Sequence, residues 1–160
     1  MQAITLRPET AADELLLRQI YAASRNEELA SVPWTDAQKS AFLAMQFDLQ
    51  RSHYRQHYPN ADFLIVSQAD KPIGRYYLHR GETDLLLIDI ALLPPYRRQG
   101  IGSLLLYNLL AEAEEFNKPV QLHVEQFNPA QHLYLKLGFS VIEDKGVHRL
   151  MQWRPQASNP

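Results

Sequence analysis

Residues 85–103 read Leu-Leu-Leu-Ile-Asp-Ile-Ala-Leu-Leu-Pro-Pro-Tyr-Arg-Arg-Gln-Gly-Ile-Gly-Ser, and no other stretch constrains the fold so tightly. An apolar run broken only by Asp89 is the pattern of a buried strand. Pro94-Pro95 stops it, because neither proline can donate to a ladder. Ile101, Leu105 and Leu109 then recur at helical spacing in a segment from Gly100 to Phe116, which Asn117 and Pro119 close. Val120–Glu125 reads as the next strand. A strand, a helix and a strand in that order imply a parallel crossover.

The other elements follow from the same signals. A first strand is expected at Gln2–Arg7 and a helix at Ala11–Arg25 behind Thr10. Pro33-Trp34 breaks that helix. Thr35 with Gln38 has the spacing of a capping box and opens a helix from Asp36 to His57. That helix carries two apolar stripes, Phe42, Met45 and Leu49 on one and Leu43, Phe47 and Tyr54 on the other, an arc wide enough for a core and a substrate groove. Phe63–Ser67 and Ile73–His79 form a hairpin around a longer loop, Gln68 to Pro72. Asn128 caps a short helix with Pro129 at its first position, and Gly138 ends it. Phe139–Ile142 and Val147–Trp153 give a last pair of strands around Gly146. The expected fold is α/β, with a mixed, largely antiparallel central sheet and helices on both faces. Residues 1–154 read as a single domain and 155–160 as a loose tail. The Val147–Trp153 strand is expected at an exposed edge where a second copy could pair, so a monomer and a homodimer both stay open.

Composition removes whole classes of function. Sixteen basic and eighteen acidic side chains leave a net charge of −2, which argues against a general nucleic-acid binder. The absence of cysteine excludes disulfides, thiolate metal sites and a cysteine acyl-enzyme. No apolar run approaches the roughly 18 residues of a membrane span. The N-terminus shows no basic, then apolar, leader pattern, and a cytoplasmic setting is expected. His53 and His57 stand one helical turn apart without a third ligand, so they read as a solvated face and no metal is expected.

The loop after the long strand is where chemistry concentrates. Two glycines at i and i+2 let the backbone approach a ligand closely. The first amides of a helix lack intrahelical partners, and the helix dipole adds positive potential. Arg97 and Arg98 bring forked donors. Together these describe a seat for a phosphate or diphosphate, beside the plainer possibility of an ordinary strand-to-helix turn. It is not a Walker loop, since no Gly-Lys-Ser/Thr follows, and the dinucleotide fingerprint lacks its third glycine.

Arg97-x-x-Gly100-x-Gly102, followed about thirty residues later by Asn128…Leu133-Tyr134-x-x-Leu137-Gly138-Phe139, resembles the GNAT family of acetyl-coenzyme A-dependent N-acetyltransferases. The order of strands and helices is similar across nearly the whole chain. The resemblance implies that the backbone of Arg98, Gln99, Gly100, Ile101, Gly102 and Ser103 holds the coenzyme diphosphate, with Arg97 nearby. It implies that the strand end at Ala91, Leu92 and Leu93 hydrogen-bonds the pantetheine arm, that Asn128 contacts the same arm, and that Tyr134 stands near the thioester sulfur as general acid. It leaves the general base open.

The chemistry narrows the mechanism independently. An alkylammonium with a pKa near 10.4 must lose a proton before it attacks. With no cysteine and no G-x-S-x-G elbow, direct attack of a bound amine on the thioester is the economical route. It needs a base, an N–H donor for the oxyanion and a proton donor for the thiolate. Free amides where the Leu85–Leu93 strand ends could supply the second and Tyr134 the third. Candidate bases are Asp89, His123, Glu125 and the pair Glu27 and Glu28, with a water relay also open. Glu27, Glu28 and Trp34 are expected to wall the acceptor side together with the Asp36 helix. The reading is an acetyltransferase for a primary amine, with a small molecule favoured slightly over a protein side chain. Its rival is a non-catalytic acyl-coenzyme A sensor.

Overall fold

The computed structural model describes residues 3–156, apart from the side chain of Glu27. In chain order the elements are β1 (Ile4–Pro8), α1 (Glu14–Ala30), α2 (Asp36–His57), β2 (Asp62–Gln68), β3 (Lys71–Arg80), β4 (Leu85–Leu92), α3 (Ile101–Glu115), β5 (Val120–Glu125), α4 (Ala130–Lys136), β6 (Ser140–Asp144) and β7 (His148–Trp153). Seven strands form one mixed sheet in the order β1-β2-β3-β4-β5-β7-β6. The β4–β5 pair is parallel, and the β1–β2, β5–β7 and β6–β7 pairs are antiparallel. The chain divides into two compact units, Met1–Tyr76 with Ile90–Arg97, and Tyr77–Asp89 with Arg98–Pro160.

In the first unit, Leu17, Tyr21, Phe47 and Ile65 form a core that Leu16 and Leu43 cover. Tyr21 meets Phe47 edge-on, with ring centroids 6.0 Å apart, the arrangement that aromatic quadrupoles favour. The expected capping box is present: Thr35 Oγ1 accepts from Gln38 N–H at 3.1 Å, and Gln38 Oε1 accepts from Thr35 N–H at 2.9 Å. Only one of the two stripes on α2 is buried here. Phe47 is buried and Leu43 packs beside it, whereas Met45 and Leu49 are 51% and 59% exposed.

Two boundaries depart from the expected ones. The β2–β3 loop is not long: Ala69 and Asp70 alone make it, with φ of +48° and +68°. Positive φ at both central residues is the primed turn whose twist matches two antiparallel strands, so Lys71 and Pro72 join β3. The first helix begins later and ends later than Ala11–Arg25. A short 3-10 turn at Ala11–Asp13 precedes it, and no glycine or proline intervenes before Ser31.

Asp13 fixes that start. Its buried carboxylate receives the Arg7 fork at 2.9 and 2.8 Å and the Thr10 amide at 2.8 Å.

In the second unit, β5 carries Val120, Leu122 and Val124 inward, and Ile101, Leu105, Leu106, Leu109 and Ala113 of α3 are buried. Arg80 grips Glu112 with two bonds of 2.8 and 3.0 Å. The expected edge at Val147–Trp153 is corrected: β7 lies between β5 and β6. The edge is β6, exposed along its whole length and bulged between Val141 and Glu143, and such bulges discourage further pairing.

The guanidinium of Arg7 holds the Asp13 carboxyl down at about 2, against an ordinary 3.8. A depressed carboxyl contributes stability above its unfolded pKa and loses it as the pH falls toward the folded value. Asp13→Asn should therefore cost on the order of 1–2 kcal/mol at pH 6, discounted because Arg7 is half exposed. In urea titrations the gap between wild type and variant should close between about pH 4 and pH 2.

Candidate active site

The loop from β4 to α3 has the backbone of an anion seat. Arg98 takes φ +61° and Gly100 φ +83°, and alternating handedness of this kind turns successive amides toward one point. Leu104 N–H is the first in α3 to reach a helix carbonyl, that of Gly100 at 3.0 Å. By helix geometry the amides of Ile101, Gly102 and Ser103 before it have no such partner. Gly100 needs its left-handed conformation. Gly102 does not have positive φ, and a Cβ built on it meets nothing within 4 Å. No packing in the described residues explains a glycine there, in a position where alanine favours the helix more, but close approach of a ligand does. Arg98 and Gln99 are exposed beside this seat. The residues thus fit a diphosphate.

The strand end assigned to the pantetheine arm is partly engaged. Leu93 N–H donates to Ile73 O at 2.9 Å, so it is not among the free donors expected at the end of the strand. Arg97 Nε donates to Leu92 O at 2.9 Å, which ties one donor of that arginine to the loop itself. Gly74 lets the chain pass here, since a Cβ on it would lie 2.4 Å from Ala91 O. At the start of β4, Leu85 N–H donates to Pro119 O at 2.9 Å.

In the second unit β4 and β5 share only three register pairs, Leu85↔Val120, Leu86↔Gln121 and Leu87↔Leu122. Beyond the last pair β5 continues against β7 alone. Side chains on β5 alternate, so Val124 shares the buried face with Leu122, and His123 and Glu125 lie on the other. Arg149, opposite Val124, reaches Gln131 of α4 at 3.0 Å. The helix that carries Tyr134 is therefore fastened to the buried face. Of the expected catalytic residues in this unit, Tyr134 and Asp89 are close enough for the charge of Asp89 to act on the phenol. His123 and Glu125 lie on the opposite face of β5, next to Leu150 and His148.

Tyr134 is 7% exposed. Burial and then the Asp89 charge push its phenol up to about 12. Gly138, at φ +104°, ends α4. Phe139 N–H returns to Tyr134 O at 3.0 Å, the long bond of a Schellman cap, and the Phe139 ring packs 5.7 Å from the phenol ring. The His123 imidazole is pushed below its ordinary value, first by burial and then by the Lys145 and His148 charges, with Glu143 opposing. That direction favours the neutral ring, the form that can accept a proton.

Asn128 caps α4 as expected, its Oδ1 accepting from Ala130 N–H at 2.9 Å. Its backbone is not left for a ligand: the amide donates to Glu125 O at 3.0 Å and the carbonyl accepts from Gln131 N–H at 3.1 Å. Gln131 is not among the expected residues, because a glutamine in a first helical turn gives no sequence signal. Gly74 does carry one, as a lone glycine inside a strand. In the first unit, Glu28 pairs with Arg25 at 3.2 Å on the surface and Trp34 packs edge-on against Phe42. The Glu27 side chain lies outside the described residues.

Residues 18–139 match the model of the acetyltransferase (GNAT) family. The chain belongs to that family and is an acetyl-coenzyme A-dependent acyltransferase. No curated protein matches it. Among solved structures it is similar to the PaiA N-acetyltransferase of Thermoplasma acidophilum in complex with coenzyme A, with 20% identity over 95% of this chain and 99% of that one and a TM-score of 0.70. An acetyltransferase from Thermus thermophilus shares 18% identity over 96% and 99% of the two chains, with a TM-score of 0.68. A GNAT family acetyltransferase from Elizabethkingia anophelis with acetyl-CoA bound shares 18% over 94% and 97%, with a TM-score of 0.60.

Gly102→Ala separates the two demands on α3. The variant should melt no lower than wild type, because alanine favours the helix by up to about 1 kcal/mol. Its dissociation constant for acetyl-coenzyme A should rise roughly ten-fold in calorimetry as the methyl group meets the diphosphate. Unchanged affinity would remove the seat from this turn.

Proposed function

We propose that this enzyme transfers the acetyl group of acetyl-coenzyme A to the primary amine of a small molecule by direct attack, with Tyr134 supporting departure of the thiol. The observation that carries the reading is the buried Tyr134 phenol beside Asp89, on a helix pinned to one face of β5. The family model and the neighbours' near-complete coverage of the chain support residues 1–154 acting as one catalytic domain. The amides of 98–103 hold the diphosphate, and the 91–93 backbone and the Asn128 side chain contact the pantetheine arm. Glu27, Glu28 and Trp34 belong to the acceptor side.

The bond changes are few. The amine nitrogen bonds to the thioester carbon, the carbon–sulfur bond breaks, the sulfur gains a proton and the nitrogen loses one. A phenol near 12 holds its proton more tightly than an ordinary thiol near 8.5, by roughly 5 kcal/mol. Tyr134 therefore first donates a hydrogen bond to the sulfur, and its proton moves only as negative charge builds there. The amine proton leaves from the His123–Glu125 face, directly or through one water, which keeps acid and base apart.

Thiol release from acetyl-coenzyme A against a panel of small amines tests the reaction. Tyr134→Phe should lower kcat by roughly ten- to thousand-fold with acetyl-coenzyme A affinity nearly intact. Tight coenzyme binding without release for any amine would turn the reading to a sensor.

The pH profile gives a separate check. A raised phenol stays protonated across the working range, so kcat/KM should climb with pH as amine and base deprotonate. It should show no fall attributable to Tyr134 below about pH 11. A descending limb near pH 9 that Tyr134→Phe abolishes would contradict this.

A further inference from the structure

We propose that Gln131 is a positioning residue, which holds the Tyr134 phenol at the end of β5 and acts on the reaction only through it. The inference rests on the acetyl-transfer reading above. Gln131 is 8% exposed, one of few polar side chains buried this deeply. Its Nε2 donates to Glu125 O at 3.0 Å and to Gln126 O, the last two carbonyls of β5 and its turn. Its Oε1 accepts from Arg149 Nη1 at 3.0 Å. Arg149 is itself held toward β6 by Asp144, with Nε 3.5 Å from Oδ2.

One amide thus ties together the end of β5, strand β7 and the first turn of α4. Both ends of the side chain are engaged, and the amide needs its donor and its acceptor in these places. Helix α4 has seven residues, too few to hold itself together in isolation. Its orientation must come from such ties. Tyr134 lies three residues after Gln131, on the same side of the helix. The Schellman cap and the Phe139 ring fix Tyr134 from the C-terminal end, so Gln131 is the corresponding tie at the N-terminal end. Asn128 has a different task there, since its side chain bonds the helix backbone at Ala130. The high phenol value accords with a helix pressed closely onto the sheet.

The test is a double-mutant cycle on the full-length protein. Gln131→Met keeps the length of the side chain and removes its bonds. It should lower kcat roughly ten- to hundred-fold while the acetyl-coenzyme A dissociation constant stays within about three-fold. In a Tyr134→Phe background the same change should lower kcat by less than about three-fold, because the group it positions is gone. In ring-labelled tyrosine NMR the Tyr134 signal should titrate lower in Gln131→Met, toward about 10, as water reaches the phenol. Gln131→Glu covers the case in which Gln131→Met fails to fold. It keeps an acceptor for Arg149, loses the donor to the β5 carbonyls, and should show the same split and the same non-additivity.

Equal losses of kcat with and without the phenol would overturn the proposal, as would an unchanged kcat or an unmoved Tyr134 titration. If Tyr134→Phe alone is fully active, the proposal falls with the role of Tyr134, and the single variant identifies that cause. A failure of acetyl-coenzyme A to bind the wild-type protein would instead condemn the underlying reading.

Discussion

After Leu87↔Leu122, β4 and β5 no longer pair. In a buried sheet such a parting is costly unless the amides and carbonyls along it find other partners. On one side β5 is still satisfied, by β7 from Val120↔Trp153 to Glu125↔His148. On its other side the register with β4 ends at Leu87↔Leu122.

The alternation of β5 sorts its side chains between two faces. A strand exposes successive side chains to opposite faces, so His123 and Glu125 cannot share a face with Val124. Because α4 is fastened to the Val124–Arg149 face through Gln131, the helix of Tyr134 belongs to one face of β5 and His123 and Glu125 to the other. In the proposed reaction this keeps acid and base apart. A single residue slip in β5 would reverse the arrangement, and the six register pairs with β7 prevent it.

Most of this scaffold is legible in the sequence, and the reasons are local. Long periodic segments and strong stops, such as Asp36–His57 behind Thr35 or Val120–Glu125 after Pro119, leave the chain one choice. The candidate diphosphate seat is legible for the same reason, since glycine spacing and a helix start are features of contiguous residues. What cannot be read is the pairing of distant residues. Nothing near Val147–Trp153 reveals that β7 is interior and β6 the edge, and nothing in Asp89 or His123 says which side of the sheet each serves. The Leu93 amide looks free in the sequence because its partner, Ile73, lies twenty residues earlier. The Ala69-Asp70 turn escapes a local reading because this pair is not one that usually takes positive φ together. Gln131 is invisible for the same reason as the others: its value comes from Glu125, Gln126 and Arg149, not from its neighbours in the chain.

The partnership of Asp89 with Tyr134 has an electrostatic consequence for the whole reaction. A carboxylate whose charge raises a phenol penalises any other anion near it, including the thiolate and the oxyanion that the reaction generates. In the proposed reaction a departing sulfur in that field is better as a neutral thiol than as a thiolate, so the Tyr134 proton moves as charge builds on the sulfur. In the proposed reaction the oxyanion, which cannot be neutralised in this way, calls for fixed backbone amides to meet it.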